Sequence, residues 1–472
     1  MNHDALTWLD GYIWLGLAVV VQTSLALLIN FEHLRFVKVR FQHQFERDRS
    51  VRVALFIPCK GMDVDLEKNL QPLMQQAYDN YEVLFIVENQ QDPACEIIER
   101  VRAQYPKRAS QVVVAGQAIE SSQKIHNLLV ATQRISPETR YLAFADSDAQ
   151  PRQDWLDQLV RMLKEPKIGA VTGYRWFVPT VPSWANYILY SVNSNVATLP
   201  NSKRNRRIIW GGSWAMRREL FERVVAPMWK QQVNDDLSAT RVLSNLGFLI
   251  DFEPRCVVAS PLNMTMPEVL EFIRRQYMAV RFILPFWWCF ALFNSTLQLA
   301  GFWSGVFLTL YGGITAASWT WIPAAFTCLL WTMGWGRAWF RQATVKIYFP
   351  EKQPTLKLAQ SFDMWLFPVA SVCGFLGVAA SMFGKGICWR GIRYRLGKYG
   401  KVESIEREGL PLNLVAGSNS STEENGLVSV LPFPGTDKST RTDPPSSGVK
   451  APAYRKAGKS QRGIKSFFSW FV

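Results

Sequence analysis

Apolar positions along this chain fall into two kinds of run. Short runs rich in Val, Ile, Phe and Leu recur between residues 51 and 172, separated by polar or amphipathic stretches. Long runs occur near the N-terminus and again after residue 283. The short runs have strand length and little alternation, the pattern of strands buried on both faces. They predict strands over Val51–Pro58, Tyr81–Val87, Gln111–Ala115, Tyr141–Ala145 and Gly169–Thr172. Between them, apolar residues return at helical spacing over Val64–Gln76, Pro93–Tyr105 and Ser121–Ser136. Strands alternating with helices imply an α/β domain over residues 31–282, with a mostly parallel, doubly wound, Rossmann-like sheet.

The long runs predict membrane segments. Gly11 to Ile29 is nearly uncharged and about 20 residues long, enough to cross a bilayer. No small-residue cleavage pattern follows it, so residues 1–30 are expected to be a retained transmembrane anchor. Arg35, Lys38, Arg40, Arg47, Arg49 and Arg52 come next. By the positive-inside rule they put the N-terminus outside and the α/β domain in the cytoplasm. Phe286–Tyr311 and Ile314–Trp335 each have spanning length. Phe362–Phe383 is apolar too but contains Asp363, Pro368 and several glycines. A third full span would carry the basic stretch Trp389–Lys398 outward against the same rule, so a re-entrant or interfacial segment is expected there. Residues 283–400 thus form a C-terminal membrane region. Residues 401–472 read as a basic tail, and the Ser/Pro/Gly/Asn/Thr-rich part over 410–458 cannot bury a core, so disorder is expected. Its end, basic Lys459–Lys465 followed by aromatic Phe467–Val472, fits either an anionic membrane surface or more of the same tail. Ser183–Leu199 is amphipathic and aromatic, and reads as a helix lying in the interface or packed under the domain.

Composition changes this picture little. The formal net charge of +15 is read as membrane-flanking charge, and no nucleic-acid partner is expected. The seven cysteines form no CxxC pair and the four histidines are dispersed. Neither a zinc site nor a disulfide framework is implied.

The candidate chemistry lies where the short runs end. In an open parallel sheet, ligands bind beyond the C-terminal ends of the strands. Lys60 follows the first strand, Glu88 and Asp92 the second, and Asp146 and Asp148 the Tyr141–Ala145 strand. Asp146 and Asp148 are two apart and share a face. Two acids at the end of a buried strand suit a divalent metal carrying a nucleotide diphosphate; a solvated turn is the alternative. Trp210-Gly-Gly-Ser213 is a tight glycine turn. Gln231–Leu237 places Asp235 and Asp236 at the start of a helix, where acids suit the helix dipole as well as catalysis.

Taken together and in order, these stretches resemble family-2 inverting glycosyltransferases with a GT-A fold, with the nearest likeness to ceramide glucosyltransferase and its bacterial relatives. Tyr81–Pro93 looks like the family's first acidic motif, and Lys124-Ile-His-Asn-Leu128 is similar to its Lys-Ile-Asn-Asn-Leu. Asp146-Ser-Asp148 matches the second acidic motif, and Trp210–Arg217 resembles its Thr-Gly-Met-Ser turn. Asn234-Asp-Asp236 stands where the family has Glu-Asp, and Trp389-Arg-Gly-Ile-Arg-Tyr394 resembles the basic Trp-Arg-Gly motif that follows the membrane segments. Two departures stand out. Glu88 and Asn89 occupy the place of the first motif's Asp, and Phe272–Arg281 carries Arg275-Gln276 and Tyr277 out of register with the family's Gln/Arg-x-x-Arg-Trp.

The resemblance implies a GT-A cytosolic domain flanked by transmembrane helices in an integral membrane protein, with a bacterial inner membrane expected. It implies transfer of a hexose, glucose expected, from a UDP-sugar to the hydroxyl of a membrane lipid such as ceramide, with inversion to a β-glycolipid. Asp146 and Asp148 would hold Mg²⁺ or Mn²⁺ against the diphosphate. Asp236 would be the general base, with Asp235 as the alternative. Glu88 and Asp92 would contact the nucleoside, and Lys60 and Lys124 the uridine or phosphates. Gly211, Gly212, Arg274, Arg275, Gln276 and Tyr277 would form the acceptor and diphosphate side, although Arg274 and Arg275 also fit plain membrane-surface charge. The alternative reading is a polysaccharide synthase, disfavoured by the missing Gln-x-x-Arg-Trp and by the few spans.

Overall fold

The structure is a computed structural model that describes residues 3–43, 49–198 and 207–407. The tail beyond residue 407, with its proposed membrane-binding end, lies outside the described residues.

The α/β domain is built on one seven-stranded sheet. Strands β1 (Val53–Pro58), β2 (Tyr81–Val87), β3 (Ser110–Val114), β4 (Tyr141–Ala145), β5 (Ile168–Pro179), β6 (Ser213–Arg217) and β7 (Leu249–Leu262) lie in the order β3-β2-β1-β4-β6-β5-β7. Only β6 runs against the others. The mostly parallel α/β fold is therefore the one expected. Strand alternation sorts the core into two layers. Val53, Leu55 and Ile57 of β1 join one core, while Ala54 and Phe56 join the other. In the second core Phe144 stacks on Phe56 at 5.3 Å and on Trp214 at 4.3 Å between ring centroids. Helices α2 (Leu66–Met74), α3 (Ala94–Gln104), α4 (Gln123–Ala131) and α5 (Trp155–Val160) cover the parallel half. Short turns α7 (Arg218–Leu220) and α8 (Ala226–Trp229) lead from β6 to α9 (Asp235–Asn245).

Three strands differ from the sequence reading. The run predicted at Gly169–Thr172 continues to Pro179, and β6 and β7 are new. Charge hid β7, because Asp251 and Glu253 interrupt its apolar pattern. Both acids are neutralised in place. Arg40 Nη2 lies 3.0 Å from Asp251 Oδ2 and Arg40 Nε 2.9 Å from Glu253 Oε2; Arg161 and Arg207 add further pairs. Arg40 belongs to α1 (His3–Gln42), so this network clamps the N-terminal helix to the sheet edge.

The membrane-type helices are α1, α11 (Pro285–Ile314), α12 (Trp321–Tyr348), α13 (Gln353–Trp365) and α14 (Phe367–Ala380). Two segments, Leu9–Gln42 and Pro285–Ile314, are long and apolar enough to cross a membrane. The predicted run Ile314–Trp335 is split between the end of α11 and α12. The latter carries Arg337, Arg341 and Lys346 and does not reach the same apolarity. Helices α13 and α14 meet at an 84° bend, the shape of a broken span or a re-entrant loop.

Helix α6 (Trp184–Ala197) is capped by Ser183, whose hydroxyl accepts from Asn186 N, and is mostly buried rather than interfacial. Its polar residues are satisfied inside the protein. Ser191 Oγ donates to Asp363 Oδ1 at 2.5 Å, and Tyr190 donates to Gln342 Oε1 at 2.8 Å. Asp363 of α13 is fully buried and also holds Arg341 of α12 bidentately at 2.8 and 3.1 Å. Of its aromatic residues Tyr190 is packed inside, while Trp184 remains exposed. Helix α10 (Met266–Ile283) then joins the sheet to α11 and packs on α14; Gly377 allows that approach, since a Cβ there would lie 2.3 Å from Ile273.

Residues 386–407 form a second, small sheet. Its strands β8 (Gly386–Trp389), β9 (Ile392–Leu396) and β10 (Val402–Arg407) run antiparallel in the order β10-β9-β8. Val402–Arg407 had been assigned to the tail. Strand β9 alternates buried Ile392, Tyr394 and Leu396 with exposed Arg393 and Arg395, so its core signal is a period of two inside a strongly basic stretch.

The buried Arg341–Asp363 pair yields a testable consequence. Removing one partner strands a buried charge, at a cost of about 3–5 kcal/mol, whereas replacing both with apolar residues is often tolerated. Asp363→Ala should sharply lower the unfolding temperature of the detergent-solubilised protein, and Arg341→Met with Asp363→Leu should recover much of the loss. A neutral Asp363→Ala would contradict the assignment.

Candidate active site

The site forms where β1, β2 and β4 end, facing the turn before β6 and the start of α9. Lys124, on the first turn of α4, is its centre. Its Nζ lies 2.8 Å from Asp146 Oδ1 and 3.0 Å from Asp235 Oδ2. Burial works against its charge, but Asp146, Asp235 and Asp236 outweigh burial and hold the ammonium above the usual lysine range. Asp146 is in turn kept below the usual carboxylate range: burial opposes its charge, and Lys124 and Arg175 prevail.

Asp148, two residues on, has its own partners. Ser260 Oγ donates to its Oδ2 at 2.7 Å, and Arg175 Nη1 sits 3.4 Å from the same oxygen. Burial raises this carboxyl despite Arg175. The strand end therefore supplies two acids, and among the described residues no cluster of three or more acid, His or Cys ligands forms around them. Such a pair fits a hard divalent cation that completes its shell from phosphate oxygens and water. Gly212 leaves the space beside it open, since a Cβ there would lie 2.5 Å from Asp146 Oδ2.

Asp235 and Asp236 open α9 behind the N-cap Asn234, whose side chain accepts from Leu237 N at 2.8 Å. Asn234 does the capping, which leaves the acids for the site. Asp235 is buried and committed to Lys124. Asp236 accepts from Gly211 N at 2.8 Å and from Leu237 N at 2.7 Å. Burial and the neighbouring Asp235 push its carboxyl up to about 7, against the pull of Lys124 and these two amides. Gly211 must be small, because a Cβ would lie 2.8 Å from Asp235 Oδ2 and 3.0 Å from Lys124 Nζ. Tyr174, its hydroxyl pushed up by burial, lies near Tyr277 and Asp236.

The acids after β2 have distinct partners. Glu88 is buried between Lys60, at 2.5 Å, and Arg407. Asp92 Oδ1 accepts from Gly61 N and Ala94 N, both at 2.9 Å, and so fixes the loop after β1 to the start of α3.

Of the α10 residues, Arg275 reaches the site. Burial, with Arg175 and Arg390 nearby, pushes its guanidinium down to about 10, and among the described residues no carboxylate pairs with it. Arg274 does not reach it. One residue round the helix, it pairs with Glu271 at 3.1 Å and lies beside Gly384. Gln276 is exposed on α10, and the Tyr277 hydroxyl is raised by burial.

The remainder of the site comes from the small sheet. Arg390 Nη1 donates to Lys60 O at 2.8 Å and its Nη2 pairs with Asp63, which accepts from Ser147 Oγ at 2.5 Å. Arg407 Nη2 donates to Gln123 Oε1 at 2.7 Å, and Gln123 N donates to Tyr394 at 3.1 Å. Val233 N donates to Gly400 O, and Val402 N to Gln231 O, stitching the sheet to the loop before Asp235. Arg390 and Gly391 are the two residues of the β8–β9 turn, with φ of 53° and 73°. Two successive positive φ values are the requirement of a two-residue hairpin turn that matches strand twist.

The glycosyl transferase family 21 model matches residues 18–402. The chain belongs to that family. The matched region runs from within α1 into β10, so the small sheet is part of the family unit. Ceramide glucosyltransferase 1 of Caenorhabditis elegans is 24% identical over 178 residues, 36% of this chain and 37% of that one. Ceramide glucosyltransferase 3 of the same organism is 28% identical over 147 residues, 31% and 32%. The chain thus matches about a third of the length of these curated relatives. Among solved structures, a mannosyltransferase from Pyrobaculum calidifontis in complex with GDP-Man and Mn²⁺ aligns at 15% identity and TM-score 0.41, covering 78% of this chain and 99% of that one. A glucosyl-3-phosphoglycerate synthase from Mycobacterium tuberculosis, with Mn²⁺ and UDP-glucose, aligns at 14% identity and TM-score 0.33, covering 51% and 84%.

The sequence reading of this glycosyltransferase quoted the Trp-Arg-Gly motif but gave it no place in the site, and it missed Asp63, Arg175, Ser260 and Arg407. The Arg-Gly pair between two apolar-polar alternations was the available signal for a hairpin with Arg390 at its tip. For Arg175 and Ser260 there was none, since both lie within strands whose charged or polar positions broke the pattern.

The glycine turn gives the sharpest test. Gly212→Ala places a Cβ into Asp146 and Trp210, and a displacement of about 1 Å at a reacting centre costs about 100-fold in rate. Glycosyl transfer should fall by that order while thermal unfolding of the purified protein stays close to the parent's. Full activity in Gly212→Ala would contradict the geometry.

Proposed function

We propose that this glycosyltransferase moves a hexose, glucose by analogy with the family's ceramide glucosyltransferases, from UDP-sugar to the hydroxyl of a membrane lipid such as ceramide. The observation that carries the reading is the division of labour around Lys124: one acid pair faces a strand end suited to a diphosphate, while Asp236 stands apart with a carboxyl raised to about 7.

In this reading the diphosphate lies over Asp146 and Asp148, among the guanidiniums of Arg175, Arg275 and Arg390. Asp146 and Asp148 would hold Mg²⁺ or Mn²⁺, which stabilises negative charge on the departing diphosphate. Glu88, Lys60 and Asp92 line the nucleoside side. Asp236 takes the proton of the acceptor hydroxyl as its oxygen attacks C1 of the sugar. The C1–oxygen bond to the diphosphate breaks, its electron pair leaves with UDP, and configuration at C1 inverts. Asp235 is a positioning residue that holds Lys124 between the two acid sets. Tyr174 and Tyr277 belong to the acceptor side.

The lipid acceptor is supported by the two spanning-type helices and by the Arg40 network that ties the first of them to the sheet. The basic residues after the first apolar run support a reading with the N-terminus outside and the catalytic domain in the cytoplasm, as in a bacterial inner membrane protein.

Asp236→Asn should lower transfer to lipid by about 10²–10⁴-fold, the range of one general base. In the parent, a base must be ionised to act. The limiting rate should therefore fall tenfold per unit as pH drops below about 7, and the residual rate of the variant should lack that limb. The assay is radiolabelled UDP-glucose with ceramide in mixed micelles. An active Asp236→Asn enzyme with an unchanged pH profile would refute the base assignment, and transfer only to an oligosaccharide would favour the polysaccharide reading.

A further inference from the structure

The small sheet has a second face. There a concavity of about 400 Å³ opens, lined by Gly384, Lys385, Gly386, Arg393, Tyr394, Arg395 and Glu406. Three basic side chains meet one acid there. Lys385, Arg393 and Arg395 are exposed, and Arg395 Nε lies 3.4 Å from Glu403 Oε2, an ion pair that is itself exposed.

The position of this cavity is set by the membrane helices. Its floor continues the loop Ser381–Gly384 that ends α14. Arg281 Nη1 donates to Ser381 O at 2.9 Å and to Gly384 O at 3.2 Å, and Trp288 Nε1 donates to Ser381 Oγ at 2.8 Å. Trp288 lies in the first turn of α11, one of the two helices apolar enough to cross a membrane. Phe383 at 72% exposure, Phe286 at 54% and Met382 at 42% surround the same level. Exposed apolar side chains at the mouth of a spanning helix, next to a basic hollow, form the pattern of a membrane interface facing anionic headgroups.

We infer that this hollow binds the phosphate of an anionic membrane lipid, with Lys385, Arg393 and Arg395 on the headgroup and Phe383 and Met382 in the acyl boundary. The inference rests on the membrane reading given above. The ligand is distinct from the acceptor, which offers a hydroxyl to Asp236 on the other side of the sheet. Occupancy would seat the small sheet against the bilayer. Strand β9 carries Arg393 and Arg395 on the lipid side and Tyr394 on the side that reaches Gln123, and its preceding turn carries Arg390, so the headgroup would bear on the strand that completes the active site.

The test uses the full chain, purified and reconstituted into phosphatidylcholine nanodiscs with or without phosphatidylglycerol. Native mass spectrometry then counts the lipids retained after release. The parent should retain phosphatidylglycerol in preference to phosphatidylcholine. Arg393→Gln with Arg395→Gln should reduce that preference about tenfold, since each basic residue near an anionic surface contributes several-fold. Lys385→Gln should give a smaller reduction, and unfolding temperatures in detergent should match the parent's. Equal retention of both lipids by the parent, or an undiminished preference in the double variant, would overturn the proposal. Displacement by soluble glycerol phosphate as readily as by lipid would overturn its assignment to a membrane lipid. Failure of the parent to float with vesicles of either composition would overturn the membrane reading itself.

Discussion

Lys124 carries one positive charge between carboxylates from separate parts of the chain. Asp146 comes from the end of a central strand, and Asp235 from the start of a helix that follows the reversed strand β6. Without the ammonium, three acids would be buried side by side, and burial of unpaired charge is among the costliest arrangements a fold can hold. The glycines at 211 and 212 exist because the turn must pass within contact distance of these oxygens. The pairing also sets the two chemistries apart. It keeps Asp146 ionised, while Asp236, which shares the cation less closely, is left raised to about 7.

Around this pivot the protein is held from three directions. Arg40 ties α1 to the buried acids of β7, Asp363 ties α6 to α12 and α13, and the small sheet is sewn to the loop before Asp235. All three ties are polar, and the first two sit where the long apolar helices meet the α/β domain. Hydrophobic packing alone would let such helices slide, whereas bidentate ion pairs have a single register. The consequence is an α/β domain, a set of long helices and a small sheet that keep one geometry.

Much of the fold was legible because most strands are buried on both faces. Val83–Val87 and Tyr141–Ala145 are continuous apolar runs, and the strands Tyr81–Val87 and Tyr141–Ala145 contain them. Strand β7 was not legible, since its acids are paired with arginines far away in the chain, and no local pattern records such a partner. The small sheet was not legible for a related reason: Arg390, Arg393, Arg395 and Arg407 interrupt a core of only a few residues, Ile387, Ile392, Tyr394 and Leu396. The acids beyond the strand ends were found by topology, and the structure brings Asp146, Asp235 and Asp236 around Lys124. Their partners Asp63, Arg175 and Arg390 needed the fold, because they arrive from β1's loop, β5 and a hairpin after the last membrane helix.

The shared cation is the central claim, and the pH dependence of transfer in a Lys124→Gln variant tests it most directly. Lys124 lowers the Asp236 carboxyl, so removing it should move the acid limb of the residual rate to higher pH, above the parent's value near 7. A limb that stays where the parent's lies would contradict the account, since Asp236 would then titrate without regard to the charge said to hold the site together.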